Sequence, residues 1–197
     1  MSNELILGLD ISTKTIGIAL FEDDGGKGKL KFLHHVTPKV KPQPKSKMEE
    51  LFLKASIFEN EFLNKYANMG ITKVIIEEPL LNSNNIWTVG VLLRYNSMIT
   101  KSIYDILGIV PNFISTYNSR KYAWPELVQK NDKDKYVLFG GLPKTIDKKE
   151  IVWKRVSDKE PQINWLYTRN NTLKKECFDM ADSYTCVLGY MKEQKIW

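Results

Sequence analysis

Four acidic side chains in three separated segments are the groups of this chain best suited to chemistry. Asp10 and Glu77 each close an apolar run, and Asp179 and Asp182 open the last apolar segment. An acid at the end of a buried strand loses solvation, and several acids that converge there repel one another unless a cation neutralises them. Mg²⁺ is the expected cation, because it prefers oxygen ligands and shares its coordination with waters and substrate phosphates. The pattern therefore predicts a divalent-metal site of the kind that nucleases use.

Three strands are predicted to carry the first of these acids. Apolar and β-branched runs over 4–10, 15–22 and 29–36 favour extended structure, and the glycine-rich turn 23–28 is typical of a hairpin. The opening of the fold should therefore be antiparallel. The Pro- and Lys-rich stretch 38–47 cannot hold a regular element and is expected to form an exposed basic loop.

The rest of the chain alternates between helical and extended patterns. Apolar residues that recur every three or four positions predict amphipathic helices, and a β-branched run that is apolar on both faces predicts a central strand. A strand, a helix and a second strand in succession imply a parallel crossover. The expected helices cover 47–66, 85–107, 118–129, 147–156 and 172–193, and the expected strands cover 71–78 and about 110–117, with 137–143 as a loop.

These elements can bring the four acids together. Adjacent parallel strands end at the same edge of a sheet, so Asp10 and Glu77 are expected to lie side by side. Asp179 and Asp182 stand three residues apart and share one helix face, although a solvated face or N-terminal capping explains that pair taken alone at least as well. Glu78 is the rival of Glu77, because neighbouring strand residues point to opposite faces and the pattern does not say which is inward.

The same segments resemble a known family. The run 7–20, with its Gly-x-Asp start and later glycine, the pair Ile76-Glu77 and the segment 179–182 are similar to the three motif blocks of RuvC-type Holliday junction resolvases, within the RNase H-like superfamily. Taken alone, the first block also resembles the openings of YqgF-type nucleases and actin-like ATPases. Together the three blocks follow the family's order over most of the chain.

The resemblance implies an α/β fold: an RNase H-like mixed sheet whose first three strands are antiparallel and whose later strands are parallel, flanked by helices, in a single RuvC-like nuclease domain over 1–197. It also implies a homodimer whose two sites cut opposite strands of a four-way DNA junction. Carried over by position, Asp10 would bridge two metal ions, Glu77 and Asp182 would complete the metal shell, and Asp179 would serve the second ion. The implied cofactor is Mg²⁺, for which Mn²⁺ can substitute, with two ions roughly 4 Å apart flanking the scissile phosphate.

Some positions depart from the family's pattern. Ile11-Ser12 follows the first aspartate where family members often have Pro-Gly, and Leu80 stands where the family has an aromatic residue that stacks on junction bases. The region 126–170 is longer than its bacterial counterpart and interleaves aromatic and basic side chains. It could contact DNA, but buried tryptophans beside surface charges explain this composition equally well. These side chains are Trp153, Lys154, Arg155, Trp165 and Arg169.

The charge of the chain suits a polyanionic substrate. It has 29 Lys and Arg against 23 Asp and Glu, a net charge of +6 and a pI near 9.1, and several of the acids belong to the candidate site. Cations near the site would position the DNA backbone without reading bases. Candidates for these phosphate contacts are Lys14, Arg94, Arg120 and Lys121, with ordinary surface solvation as the alternative for each.

Other chemistries receive less support from the residues. His34 and His35 are the only histidines and would point to opposite faces of a strand, so they cannot chelate one metal together. No P-loop pattern and no Cys/His cluster occur in the sequence. The remaining alternatives are an RNase H-like nuclease acting on other branched DNA or on RNA, an actin-like ATP-binding subdomain that would hold phosphate with the turn 12–15, and a DNA-binding module without catalysis.

Composition favours a soluble cytoplasmic protein, which for a viral chain means the host cytoplasm. No uninterrupted apolar stretch approaches the ~20 residues of a membrane span, and the amino terminus lacks the pattern of a signal peptide. Cys177 and Cys186 are nine positions apart, which would place them on opposite faces of one helix and beyond disulfide reach.

Overall fold

A five-stranded mixed sheet with the strand order β3-β2-β1-β4-β5 organises the chain. The structure is a computed structural model that describes residues 4–23, 28–79, 85–143 and 145–194. The first three strands pair antiparallel, whereas β4 pairs parallel with β1 and β5 pairs parallel with β4. The strands are β1 (Glu4–Ile11), β2 (Ile16–Asp23), β3 (Gly28–Val36), β4 (Ile71–Glu77) and β5 (Asn112–Ile114).

Helices cover both faces of this sheet. The first, α1 (Lys47–Phe58), begins at Ser46, whose side chain accepts a hydrogen bond from the N–H of Glu49, and it continues through a π turn (Glu59–Leu63), α2 (Asn64–Tyr66) and a 3-10 turn (Ala67–Met69). The others are α3 (Ile86–Leu107), α4 (Thr116–Ala123), α5 (Lys148–Lys159) and α6 (Glu176–Glu193). A 3-10 turn (Pro125–Leu127) leads into a small hairpin of β6 (Val128–Lys130) and β7 (Tyr136–Leu138).

Each face of the sheet has its own apolar core. Successive strand residues point to opposite faces, so in β1 Leu7, Leu9 and Ile11 pack toward α1 and α3, whereas Ile6 packs toward α6. Asp10 shares the face of Ile6 by this alternation. The acid of the first strand therefore lies on the side of the sheet that α6 covers.

Two glycines let α6 lie directly on the sheet. A Cβ atom built on Gly8 would lie 2.3 Å from Cγ2 of Val187, and one built on Gly17 would lie 2.0 Å from the carbonyl oxygen of Asp179. Real Cβ atoms do not approach other atoms so closely. Gly17 is paired with Asp10 across the β1–β2 ladder, so the contact that needs this glycine also brings the backbone of Asp179 over the first acid. The Gly-x-Asp start and later glycine of the first motif block thus have a packing cause.

Most of the predicted elements are confirmed. The antiparallel opening, the central strand, the parallel crossover and the helices predicted over 47–66 and 85–107 are present with small shifts at their ends. The α/β mixed sheet flanked by helices is therefore confirmed as the fold class. The tip of the first hairpin, 24–27, and Leu80 lie outside the described residues.

Predictions between 110 and 129 were wrong in their bounds. The strand is limited to three residues, and the helix begins at Thr116 rather than at 118, because the side chain of Ser115 caps it by accepting from the N–H of Asn118. The helix ends before Pro125, since the residue before a proline disfavours the α conformation and Trp124 has φ −132° and ψ 68°.

Two further predictions need correction. The last helix begins at Glu176 rather than at 172, because the chain before it is drawn into an isolated antiparallel bridge between Tyr167 and Leu173. Part of the predicted loop 137–143 belongs to strand β7 of the small hairpin.

The tryptophans of the long region 126–170 belong to the apolar core beside α6. Trp153 and Trp165 are half-buried and meet edge-to-face, with ring centroids 5.9 Å apart. Arg155 is exposed and lies 3.5 Å from Glu126. Of the two explanations that the sequence allows for this composition, the tryptophans therefore agree with burial of aromatic side chains beside surface charges.

None of the helices within the described ranges is both long and apolar enough to cross a lipid bilayer.

The close approach of α6 predicts a severe effect of one methyl group. Gly17→Ala should lower the free energy of unfolding by ~1–3 kcal/mol, because the added Cβ collides with backbone atoms of Asp179 that cannot move independently. Chemical denaturation followed by circular dichroism measures this. Gly90→Ala in α3 is the matched control: nothing lies within 4 Å of its built Cβ, so it should stabilise the helix by about 0.5–1 kcal/mol. Equal effects of the two substitutions would contradict the packing argument.

Candidate functional site

The ends of β1 and β4 place two of the acids at one edge of the sheet. Leu9 pairs with Ile76 in the parallel ladder, so Asp10 and Glu77 follow at the same level. Leu9 and Ile76 pack in the core beside α1 and α3, and alternation therefore turns Asp10 and Glu77 toward α6. The backbone therefore brings these two carboxylates to the same edge of the sheet, where the sequence predicts them.

Helix α6 adds the second pair of acids from above. Asp179 lies in its first turn, where the helix dipole favours negative charge, and Asp182 is buried one turn further along. Burial raises the pKa of Asp10 well above its usual value, and the charges of Glu77, Asp182 and Asp179 raise it further. Three segments that are distant in sequence thus share one electrostatic environment.

Glu77, and not Glu78, is the inward glutamate. The hydroxyl of Thr116 donates a hydrogen bond to Oε1 of Glu77, while Oε2 is buried and has no hydrogen-bond partner among the described residues. Burial, followed by the charge of Asp182, raises the pKa of Glu77 to about 7. Glu78 is exposed, and its backbone N–H donates to the carbonyl of Ile114 at 2.8 Å.

Arg120 lies within the acidic cluster. It is only 9% exposed, and its Nη2 donates to Oδ1 of Asp182 at 2.9 Å. Burial opposes its charge, but Asp182, Glu77 and Asp10 outweigh burial and raise its pKa. The sequence suggested Arg120 as a contact to DNA phosphates. In the structure its guanidinium is bonded to Asp182, which is a candidate metal ligand. Its proximity follows from its place just after β5, since loops and helices that follow parallel strands meet at the same sheet edge.

Lys149 is a second cation at the site, and sequence reasoning did not identify it. Its Nζ lies 3.4 Å from Oδ1 of Asp179 and 3.4 Å from Oδ2 of Asp182. Burial opposes its charge, but Asp182, Asp10 and Asp179 raise its pKa overall. Lys149 is the second residue of α5, which Asp147 caps by accepting from the N–H of Lys149 at 2.8 Å. No feature of the sequence distinguishes this lysine from its neighbours on the same helix.

The other predicted DNA contacts fall in different places. Lys14, in the turn between β1 and β2, is exposed and lines a cleft together with Asp179. Lys121 lies on α4 with its Nζ 5.2 Å from the ring centre of Tyr122. Arg94 is exposed on α3, on the face of the sheet opposite to the acids. Of these three cations, Lys14 is the one that the structure brings beside the candidate site.

The donors present fit a hard divalent cation. All four acids offer oxygen ligands, and the buried, unpartnered Oε2 of Glu77 is an acceptor that a cation would satisfy. Across the described ranges, no three His, Cys, Asp or Glu side chains stand in a preformed metal-holding group. Mg²⁺ does not require one, because it is usually held by one or two carboxylates together with waters and substrate phosphates.

Three solved structures share this fold. Thermus thermophilus RuvC matches with a TM-score of 0.59 and 13% identity over 97% of this chain and 95% of that chain. T. thermophilus RuvC in complex with a Holliday junction substrate matches with 0.59 and 11% identity, covering 98% and 95%. Fowlpox virus resolvase in complex with substrate Holliday junction DNA matches with 0.50 and 16% identity, covering 96% and 98%.

At these identities the likeness concerns the fold alone, and it agrees with the mixed α/β sheet flanked by helices that the sequence predicts. No protein-family model matches this sequence, and no curated protein sequence matches it either.

The burial of Glu77 predicts a pH-dependent stability in metal-free buffer. Because its folded pKa of about 7 lies above the ordinary value of 4.5, this group stabilises the fold fully below pH 4.5 and loses that contribution as pH rises through about 7. Glu77→Gln removes the loss and can still accept from Thr116. The variant should therefore match the wild type at pH 4 and exceed it by about 3 kcal/mol above pH 7. Denaturation in EDTA at several pH values measures the gap.

Glu78→Gln is the control for this prediction, because Glu78 is the exposed neighbour. Its stability should follow the wild type at every pH. A constant gap between Glu77→Gln and the wild type from pH 4 to pH 8 would contradict the electrostatic account.

Proposed function

We propose that this chain is a Mg²⁺-dependent, structure-selective endonuclease that resolves four-way DNA junctions by paired phosphodiester hydrolysis. The observation that carries the proposal is the convergence of Asp10, Glu77, Asp179 and Asp182, from three distant segments, at one edge of the sheet. The likeness of the fold to the resolvases of T. thermophilus and fowlpox virus, both solved with Holliday junction DNA, supports this choice of substrate.

The charge of the site supports a divalent cofactor. When all four acids are ionised, Arg120 and Lys149 balance two of them and leave two negative charges in a largely buried place. One divalent ion would neutralise this remainder, and a second ion could enter together with the charge of a phosphate. Mg²⁺ is therefore the proposed cofactor, with two ions per site and Mn²⁺ as a substitute. When bound, such ions would supply activation of a water for in-line attack and stabilisation of the leaving oxygen.

The side chains would share this task as follows. Asp10 is central, since it interacts with the other three acids, and would bridge the ions. Glu77 would add its unpartnered Oε2, and Asp179 and Asp182 would complete the shell from α6. Arg120 would hold Asp182 in place. The contacts of Lys149, at 3.4 Å, are longer than ordinary hydrogen bonds, so its ammonium group can turn to a phosphate oxygen when DNA is bound.

A homodimer would supply the second cut. Helices α1 and α3 carry a groove on the sheet face opposite to the acids, lined by Phe52, Leu93, Met98 and the stem of Arg94. Phe52 is 57% exposed and Leu93 40% exposed, which is unusual for large apolar side chains that lie together. We propose that two chains associate through this face, which leaves both acidic edges open to DNA.

The same acids could act on other nucleic acids. Flaps, replication forks or RNA duplexes also present phosphodiesters to an acidic edge, so the alternative is an RNase H-like nuclease with one of these substrates. A panel of matched four-way junction, fork, flap and duplex substrates, incubated with Mg²⁺ and with chelator, separates the alternatives. Preference for the junction by at least tenfold in kcat/KM would favour the resolvase.

The central position of Asp10 gives a prediction about DNA cleavage. Asp10→Asn should abolish Mg²⁺-dependent cleavage of a synthetic four-way junction while the dissociation constant for the junction changes less than about threefold. The same variant should lose the rise in melting temperature that Mg²⁺ is expected to give the wild type, because a proposed metal ligand is gone. Asp158→Asn, on the exposed surface of α5, is the control and should cleave normally. Full cleavage by Asp10→Asn would remove the mechanism.

Asp182→Asn is expected to abolish cleavage too, but for two reasons. It removes a proposed ligand and leaves the buried charge of Arg120 without its partner, which costs ~3–5 kcal/mol for a buried pair. Its loss of activity must therefore be compared with its stability.

The apolar groove gives a prediction about the oligomeric state. Leu93→Glu should convert a dimer to a monomer, because it places a charge in the centre of the proposed contact, and light scattering at working concentration measures the mass. Tyr136→Glu, which changes an exposed aromatic residue of the small hairpin beside the other core, should leave the mass unchanged. A wild type that is monomeric both with and without DNA would contradict the proposed homodimer.

A further inference from the structure

A cleft of about 680 Å³ opens beside the acidic cluster at the end of the sheet. Its walls come from the turn between β1 and β2, the segment after β3, helix α1 and the starts of α5 and α6. Asp179 and Lys149 belong to both the cleft and the acidic cluster, so the two spaces are continuous. A volume in the range of small-ligand pockets is larger than one phosphate group needs.

Besides Lys149, the cleft carries two cations that are available to a ligand. Lys54 is engaged, since its Nζ lies 2.6 Å from Glu50 and donates to the carbonyl of Thr13 at 2.7 Å. Lys14 and Lys175 are exposed, and neither ammonium group forms an ion pair with another described residue. These two lysines stand on separate elements that face the same cleft. Their placement suits phosphates of an extended strand.

The cleft also contains an aromatic side chain with no place in either apolar core. Phe178 is half-buried, lines the cleft, and directly precedes Asp179 on α6. It belongs to neither of the two core clusters that cover the sheet faces. An aromatic ring that shares a cleft with lysines is an arrangement on which proteins stack the bases of single-stranded nucleic acid.

We propose that this cleft binds the nucleotide that flanks the scissile phosphate, with Lys14 and Lys175 on its phosphates and Phe178 against its base. The inference rests on the proposed nuclease function and deepens it, because it states that the cut strand runs from the acidic cluster into this cleft. The hydroxyl of Ser12 donates to the carbonyl of Thr15 and accepts from the N–H of Thr15, so this turn is internally bonded. Phosphate recognition therefore falls to the lysine side chains.

The first test measures phosphate contacts by salt dependence. In Ca²⁺ in place of Mg²⁺, which permits binding without cutting, the double variant Lys14→Ala/Lys175→Ala should bind a four-way junction about tenfold more weakly near 0.1 M salt. The slope of log K against log salt should fall in magnitude by about 1.4–1.8, because each of the two lost phosphate contacts removes about 0.7–0.9. Lys65→Ala, an exposed lysine on α2 remote from the cleft, should leave the slope unchanged.

The second test reports on stacking. Junctions that carry 2-aminopurine at single positions around the cut should show a position whose fluorescence the wild type quenches on binding. Phe178→Leu should restore at least half of that fluorescence while its melting temperature stays within about 2 °C of the wild type. Tyr136→Leu is the aromatic control and should leave the quenching unchanged.

The outcomes separate this inference from the proposed function. Failure of the wild type to bind or cut any branched DNA overturns both. If the wild type cuts normally, but the salt slope is unchanged in the double variant and the quenching is unchanged in Phe178→Leu, the assignment of the cleft to a flanking nucleotide is overturned and the proposed function is not. An arm with ATP in place of DNA tests a free nucleotide as the ligand: micromolar binding that the double variant loses would overturn the assignment to a strand.

Discussion

Repulsion among one buried carboxylate, that of Asp182, and three half-buried ones is the force against which this structure is arranged. Burial disfavours the charged forms of Asp10 and Glu77, and the charge of Asp182 raises the pKa of both. The site persists because the groups around it are fixed by other interactions. Residues 180–189 of α6 are buried without interruption, and this packing holds Asp182 in place whatever its charge costs. The free energy of the apolar core thus sustains an arrangement that electrostatics alone would push apart.

The fold and the meeting of the acids could be predicted because they depend on short-range patterns. Alternation sets which face a strand residue takes, and parallel strands end at one edge, so Asp10 and Glu77 could be paired from sequence. The choice between Glu77 and Glu78 could not, because it depends on which of two helical layers covers which face. That information lies in the contact of Gly8 and Gly17 with α6, which no local pattern reveals.

The cations of the site show where sequence reasoning stops. Arg120 was predicted to lie near the active edge, and it does, but its bond to Asp182 joins residues that are 62 positions apart. Lys149 reaches Asp179 across 30 positions, from a helix whose own pattern shows only an amphipathic face. The region 126–170 therefore contributes to the site through the packing of α5 on the core, where Val152 and Val156 are fully buried. The packing of Trp153 and Trp165 against this core explains the aromatic content of the region.

The two cations differ in exposure, and this difference separates their roles. Arg120 is buried, makes a 2.9 Å bond to Asp182 and can leave only at the cost of an unpaired buried charge, so it acts as a permanent part of the site. The side chain of Lys149 is 48% exposed and holds its two acids at 3.4 Å, a loose contact that water screens. A charged ligand therefore competes easily with the contacts of Lys149 but not with the bond between Arg120 and Asp182. The acidic edge is thus rigid on the side of α4 and adjustable on the side of α5, where the cleft opens.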